Sequence, residues 1–387
     1  MELESGGPLS VPLSGHNGAR ALAQFVERCA VKGVSVFDEG GAMGHTAVVL
    51  DDVRTQVAPS EETLAVARER RRAVLDAAKT YPGFLRSYMS GSIAHGTANG
   101  DTDADCGIVL DRRSYPKLGP DGEGDGPSDT VESVRGHLRE ALCEDHEDLS
   151  FRVTKRAIMV KFNDPIAEDV DPHVDLIVAL NRKDEPGLWI PNTERDGWDA
   201  SDPESHTSLL TSGTRSTRAA RARVVRLAKA WNNQYGQPGL CSFNIEALAL
   251  AALDGETDLT QGLVALFSHA ASDLRKHFTP DPAGVSSAIK LKLDRDVVVG
   301  RLDKAASHMA AALVADENDD RDTVLDELAS VYWDYVDAPE SSDSKAALAQ
   351  RLLSDAPVGF AGGGLIRPSE SAKPLKSTRA FGCADDV

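Results

Sequence analysis

The chain has 387 residues, with 61 acidic against 42 basic side chains, a formal net charge of −19 and 41% hydrophobic residues. That composition can build a sizeable core, and at roughly 150 residues per domain the length implies two to three structural units. No apolar run approaches the roughly 18 to 20 residues of a bilayer span, and the acid excess argues against a protein that coats long nucleic acid, because phosphate backbones are held by basic patches. Residues 1–16 hold two acids, no Lys or Arg and no apolar block, so no secretory signal is expected there. Cys29, Cys106, Cys143, Cys241 and Cys383 form no C-x-x-C pair. A reducing cytoplasm therefore fits better than a disulfide framework or a cysteine zinc site.

In chain order, residues 1–18 are rich in Gly, Ser and Pro, residues 19–31 have helical spacing, and Thr46–Leu50 reads as a short strand. Ser60, followed by Glu61 and Glu62, predicts the capped start of a helix reaching about Thr80. Leu85–Ser92 reads as a strand ending in small residues, Cys106–Leu110 as a buried strand and Tyr115–Asp129 as a surface loop. Val131–Cys143 is predicted helical, Phe151–Val153 and Arg156–Phe162 β-type, and His173–Leu180 an apolar strand. From about residue 200 the pattern becomes almost wholly helical: one long segment over 205–235, then 243–254, 260–276, 296–314 and 322–335. The expected division is an extension with a short helix (1–57), an α+β core (58–200), a helical domain (201–340) and a mostly flexible tail with one short helix (341–387).

The segment Ser90–Asp111 carries the densest chemistry. Asp103 and Asp105 lie two apart, so on a strand both carboxylates leave the same face. Side by side at the edge of a buried strand they repel unless a cation or proton intervenes, and Mg²⁺ suits such hard oxygen donors. The plainer reading is a solvated Asp-rich turn. Gly91-Ser92, a short way upstream, weighs against that, since a Gly-Ser turn at a helix start offers backbone N–H groups and a hydroxyl to a phosphate. Gly91–Thr97 also reads G-x-x-x-x-G-T, but the lysine of a phosphate-binding Walker loop is absent and an acidic strand follows, so that reading is rejected. Asp175 lies within the apolar run HVDLIVAL, where an unpaired carboxylate would be costly. Asp169 and Asp171 compete with it from the preceding loop, His173 reads as a strand-edge residue rather than a ligand, and Cys106 reads as core.

Between Ser205 and Ile245 there is no Asp or Glu, yet there are Arg215, Arg218, Arg221, Arg223, Arg226 and Lys229. At about 100° per residue, Arg215, Arg218, Arg226 and Lys229 share an arc of roughly 80°, opposite Ala220, Val224, Leu227 and Trp231. A cationic stripe without balancing acids points to a polyanion. Arg221 and Arg223 fall off the stripe, toward solvent.

Gly-Ser, then Asp-x-Asp, then a lone Asp in a later strand resembles the polymerase-β-like nucleotidyltransferases. Ile190-Pro191-Asn192, Gly197-Trp198, Asp202-Pro203-Glu204, Leu227–Trp231 and Ser242–Leu248 narrow the likeness to the bacterial cGAS/DncV-like nucleotidyltransferases (CD-NTases) of anti-phage systems, over roughly residues 58–337. The resemblance implies a mixed-sheet core and a helical lobe with the active site in the cleft between them. It also implies synthesis of a cyclic di- or trinucleotide from NTPs with release of pyrophosphate. Asp103, Asp105 and Asp175 would hold two Mg²⁺ ions, for which Mn²⁺ can substitute. Gly91 and Ser92 would cradle the triphosphate, Lys229 and Ser242 would contact it from the other lobe, and Phe243 would stack on a base. A monomer is expected, with regulatory or C-terminal-conjugating defence proteins as partners. No zinc-type His/Cys insertion is present, so DNA-triggered activity is not implied. Transfer to a protein, tRNA or small-molecule acceptor, and a non-catalytic nucleotide-binding scaffold, remain the alternatives.

Overall fold

The computed structural model describes residues 43–100, 103–122, 126–146, 148–168 and 170–339. The helix expected over 19–31 and the one expected beyond Ser341 lie outside these residues. The first described element, α1 (His45–Val57), is a helix where a strand was expected over Thr46–Leu50. β-branched Thr46, Val48 and Val49 favour extended backbone locally. Tertiary contacts override them: Leu50, Val53 and Val57 recur at helical spacing and are buried in the core of the helical lobe. The helix start is also capped from far along the chain, where Asp316 accepts hydrogen bonds from the backbone N–H of His45 (2.6 Å) and Thr46 (3.3 Å).

The core follows with α2 (Glu61–Ala78), β1 (Phe84–Met89), α3 (Gly91–His95), β2 (Ala104–Leu110), α4 (Pro127–Leu142), β3 (Ser150–Val153), β4 (Ile158–Lys161), β5 (Val174–Asn181), β6 (Leu188–Asn192) and β7 (Gly197–Ser201). Ser60 caps α2 as expected, its hydroxyl accepting from the Thr63 N–H at 2.9 Å. The sheet runs β1-β2-β5-β4-β3, with β6 joined to the far end of β5 and β7 to β6. β2 and β5 pair in parallel, and their neighbours are antiparallel. The two-residue alternation of strands divides the central pair between two environments. Ala104, Cys106, Ile108 and Leu110, with Val174, Leu176, Val178 and Leu180, pack beneath α2 and α4. The other face receives Asp105, Gly107 and Val109 with Asp175, Ile177 and Ala179.

The hairpin of β6 and β7 was not foreseen as strands. Pro191 sits inside β6, where a missing N–H normally argues against a strand. β6 pairs with β5 only at Leu188 and Trp189, so at Pro191 β7 is its one flanking strand. The helical lobe comprises α5 (Pro203–Leu210), α6 (Arg215–Asn233), α7 (Ser242–Ala252), α8 (Leu259–Leu274), α9 (Arg295–Glu317) and α10 (Arg321–Val331). The single helix expected over 205–235 is two. Gly213, at φ +91°, breaks it, and Thr214 opens the second helix by accepting from the Thr217 N–H at 3.1 Å.

Candidate active site

Asp105 and Asp175 are direct partners in the parallel ladder of β2 and β5. Neighbouring strands lie about 4.8 Å apart, so the two carboxylates leave the same face side by side. Asp103 is two residues before Asp105 and reaches the same corner through His173, whose Nδ1 is 2.5 Å from Asp103 Oδ1 and whose Nε2 is 3.7 Å from Asp175 Oδ1. Burial and the charges of Asp175, Asp103 and Glu246 push the Asp105 carboxyl well above the usual carboxylate range, with Lys229 opposing them. Burial works to lower the His173 imidazole, yet the hydrogen bond and charge of Asp103, with Asp175 behind it, carry it above its ordinary value. The sequence placed His173 at a strand edge; it also bridges two of the acids.

Gly91 shows why the turn after β1 must be small. Its φ is +73°, and a Cβ there would stand 1.9 Å from Asp105 Oδ2. The backbone of the Gly91-Ser92 turn therefore lies directly against the acid corner. Ser90 supports it from below, donating its backbone N–H to the Asp105 carbonyl at 3.3 Å.

In chemical type, carboxylate oxygens such as those of Asp103, Asp105 and Asp175 are the donors a hard divalent cation takes, and Asp105 is held at 7% exposure among like charges with the main chain closed in on it. Among the described residues no three His, Cys, Asp or Glu side chains are grouped so as to hold a metal ion. His173 engages Asp103 on its own side of the corner.

The helical lobe meets this corner through a buried polar cluster. Lys229 Nζ is 2.7 Å from Glu246 Oε1 and 3.1 Å from the Thr97 hydroxyl, which itself donates to Glu246 at 2.5 Å. His95 Nδ1 stands 3.1 Å from the other Glu246 oxygen. Burial alone would raise the Glu246 carboxyl, but Lys229 and His95 hold it far below the usual range. Glu246 was missed in the sequence reading, although it is the first acid after the acid-free stretch and the one charged residue of α7.

The expected cationic stripe divides. Arg215 and Arg218 are exposed and Arg226 is half-buried, while Lys229 is in the interior. Arg221 was expected toward solvent, and instead is buried, donating to the carbonyls of Leu210 and Leu253, both at 3.2 Å. The tertiary cause is that the ends of α5 and α7 present carbonyls, those of Leu210 and Leu253, which the guanidinium satisfies. Ser242 begins α7 and is buried; beside it, the Phe243 ring lies 4.6 Å from the His206 ring. Those two rings line a cavity of about 470 Å³ bounded by β6, β7 and the 285–290 loop. Ile190 lines the same cavity and belongs to the buried cluster that includes Ile177 and Ala179.

No protein-family profile matches the chain, and no curated protein matches it. Solved structures do. Escherichia coli CdnC with ATP is 18% identical, matched over 75% of this chain and 98% of its own, with a TM-score of 0.56. The STING-associated CdnE c-di-GMP synthase of Capnocytophaga granulosa is 15% identical over 77% of this chain and 93% of its own, at 0.52. The CD-NTase CdnG of Bradyrhizobium diazoefficiens with GTP is 15% identical over 74% and 98%, at 0.51. The fold is thus that of the CD-NTases: a mixed sheet with flanking helices joined to a helical lobe.

Proposed function

We propose that the chain is a divalent-metal-dependent nucleotidyltransferase that joins nucleoside triphosphates into a cyclic di- or trinucleotide and releases pyrophosphate. The observation that carries this reading is the acid corner: Asp105 level with Asp175 in the ladder, Asp103 beside them, and the Gly91 turn closed on Asp105. Asp103 and Asp105 would hold both ions, and Asp175 the one nearer the attacking ribose hydroxyl. Bound Mg²⁺ or Mn²⁺ supplies acidification of that hydroxyl and neutralises charge on the leaving pyrophosphate. The Gly91-Ser92 turn offers N–H groups and a hydroxyl to the phosphates. Lys229, fixed by Glu246 and Thr97, adds positive potential at the lobe junction, where it already acts on Asp105. Ser242 approaches from the start of α7, and Phe243 presents a ring for a base to stack on.

No described helix is long and apolar enough to cross a membrane. We place the product in antiviral signalling: the C. granulosa neighbour is STING-associated, and E. coli CdnC has been solved with a HORMA protein. Purified protein with labelled NTPs and Mg²⁺ is expected to give a phosphatase-resistant product and pyrophosphate. An Asp103→Ala/Asp105→Ala variant that kept full activity would end this reading. Label appearing only on an added acceptor would move it to acceptor nucleotidylation. Loss of phage protection in cells carrying that variant checks the biological assignment.

A further inference from the structure

The buried cluster at the lobe junction is costlier than joining two lobes requires. Glu246 is 2% exposed and Lys229 4%, and His95 and Thr97 are buried with them. An ion pair at this depth offsets its desolvation only with good geometry and further hydrogen bonds, and apolar side chains would join the lobes at less cost. What a carboxylate adds is direction: two oxygens at a fixed spacing, each able to hold a different partner.

Glu246 uses both. Oε1 accepts from the Thr97 hydroxyl at 2.5 Å and from Lys229 Nζ at 2.7 Å, while Oε2 is 3.1 Å from His95 Nδ1. The two oxygens thus hold the residues on either side of Gly96, the left-handed position (φ +74°) that ends α3. Thr97 in turn donates its N–H to the Ser92 carbonyl at 2.9 Å, so one hydrogen bond connects the held residue to the Gly91-Ser92 turn. Lys229 fastens Thr97 again, through its carbonyl at 3.3 Å and its hydroxyl at 3.1 Å. His95 Nε2 is 3.1 Å from the Thr207 hydroxyl of α5, which also lies 3.4 Å from the Met89 carbonyl just ahead of the turn. At the opposite end Gly91 is closed on Asp105. With five residues, α3 is too short to keep its shape without such outside contacts.

We infer that Glu246 is a positioning residue for nucleotidyl transfer: by holding His95 and Thr97 from the helical lobe, it sets where the Gly91-Ser92 turn stands against Asp105. This rests on the nucleotidyltransferase reading and adds to it a residue that acts through the turn. A role in stability alone would have a different signature. Loss of a buried counter-charge weakens the whole fold, whereas loss of this hold loosens residues 90–99 ahead of the sheet and misplaces the turn in molecules that remain folded.

The test compares the full-length wild type with Glu246→Gln and Thr97→Val, at a temperature where circular dichroism shows each of them folded. Thr97→Val keeps the Lys229–Glu246 pair and removes only the hydroxyl. In metal-free protein, hydrogen exchange followed by mass spectrometry is expected to quicken about tenfold over residues 90–99 in Glu246→Gln, beyond any change over β5, and less in Thr97→Val. With Mg²⁺ and NTPs, kcat for pyrophosphate release is expected to fall about 10²-fold in Glu246→Gln and about fivefold in Thr97→Val, with KM within about threefold of wild type. Equal quickening over 90–99 and β5 would overturn the inference, as would a wild-type kcat in folded Glu246→Gln or a loss carried by KM alone. If Glu246→Gln does not fold, Thr97→Val decides, and unchanged exchange over 90–99 with unchanged kcat overturns it. A wild type that releases no pyrophosphate from any NTP would sink the reaction and this role together, whereas wild-type turnover with unmoved variants sinks the role alone.

Discussion

Asp105 faces Asp175 across one step of the ladder, is 7% exposed, and has Asp103 and Glu246 within electrostatic reach. Such an arrangement favours cation binding over stability, since like charges in a poorly solvated corner repel. Its raised carboxyl means that ionised Asp105 opposes folding at neutral pH. Asp105→Asn is therefore expected to raise the melting temperature in metal-free buffer, by about 2–4 °C for each kcal/mol relieved. The same change should reduce product formation by about 10³-fold or more. Mg²⁺ should raise the melting temperature of the wild type, by mass action on the folded state, and leave Asp105→Asn nearly unmoved in differential scanning calorimetry. Gly91→Ala combines a positive φ with a Cβ 1.9 Å from Asp105 Oδ2. The turn or the acid must shift, and a loss of about 10²-fold in turnover is expected for displacement on the order of 1 Å.

At the scale of elements, the break between α5 and α6 decides where the charges of residues 215–229 point. Gly213 at φ +91° has only ordinary contacts around a notional Cβ, the nearest being Thr217 Cγ2 at 3.5 Å. Gly213→Ala is thus expected to cost about 1–2 kcal/mol through backbone strain alone, read as a lower denaturation midpoint with an unchanged m-value. The strands β2 and β5 were legible from the chain as short apolar runs buried on both faces, and the helices α2 and α4 from a burial period of 3.6. The β6–β7 hairpin was not, since Pro191 masks a strand whose pairing with β5 ends before it. α1 was misread because β-branched residues dominate its first turn, while its cap, Asp316, lies hundreds of residues away.

For the whole molecule, the buried cluster of Lys229, Glu246, Thr97 and His95 joins the two lobes beside the acid corner. Glu246→Gln leaves a buried ammonium without its counter-charge, and a loss of about 3–5 kcal/mol is expected. The folded state depresses the Glu246 carboxyl, so its contribution is complete above its ordinary value of 4.5 and is lost as pH falls toward the folded value. The stability gap between wild type and Glu246→Gln should accordingly be widest near neutrality and narrow below about pH 4.5, as checked by denaturant titration across pH. α1 ties the segment before the core into the helical lobe through Leu50, Val53 and Val57, each at most 1% exposed. Removing residues through Val57 would uncover the face they cover. At about 1.5–3 kcal/mol for each buried side chain, the truncated protein should melt far earlier or aggregate, which scattering during a thermal ramp would record.

By itself the sequence determined the order and kind of most elements and the acid pattern Asp103, Asp105 and Asp175 after a Gly-Ser turn, because strand alternation and turn chemistry are local properties. Only the tertiary structure decided which charges are used together. It set Asp105 level with Asp175, matched Lys229 with Glu246 rather than leaving it on an open stripe, and turned Arg221 inward. It also gathered Arg156, Asn192 and His206 from separate elements around one cavity. Those pairings depend on strand register, on the Gly213 break and on how the lobes close, and each brings together residues that no spacing along the chain connects.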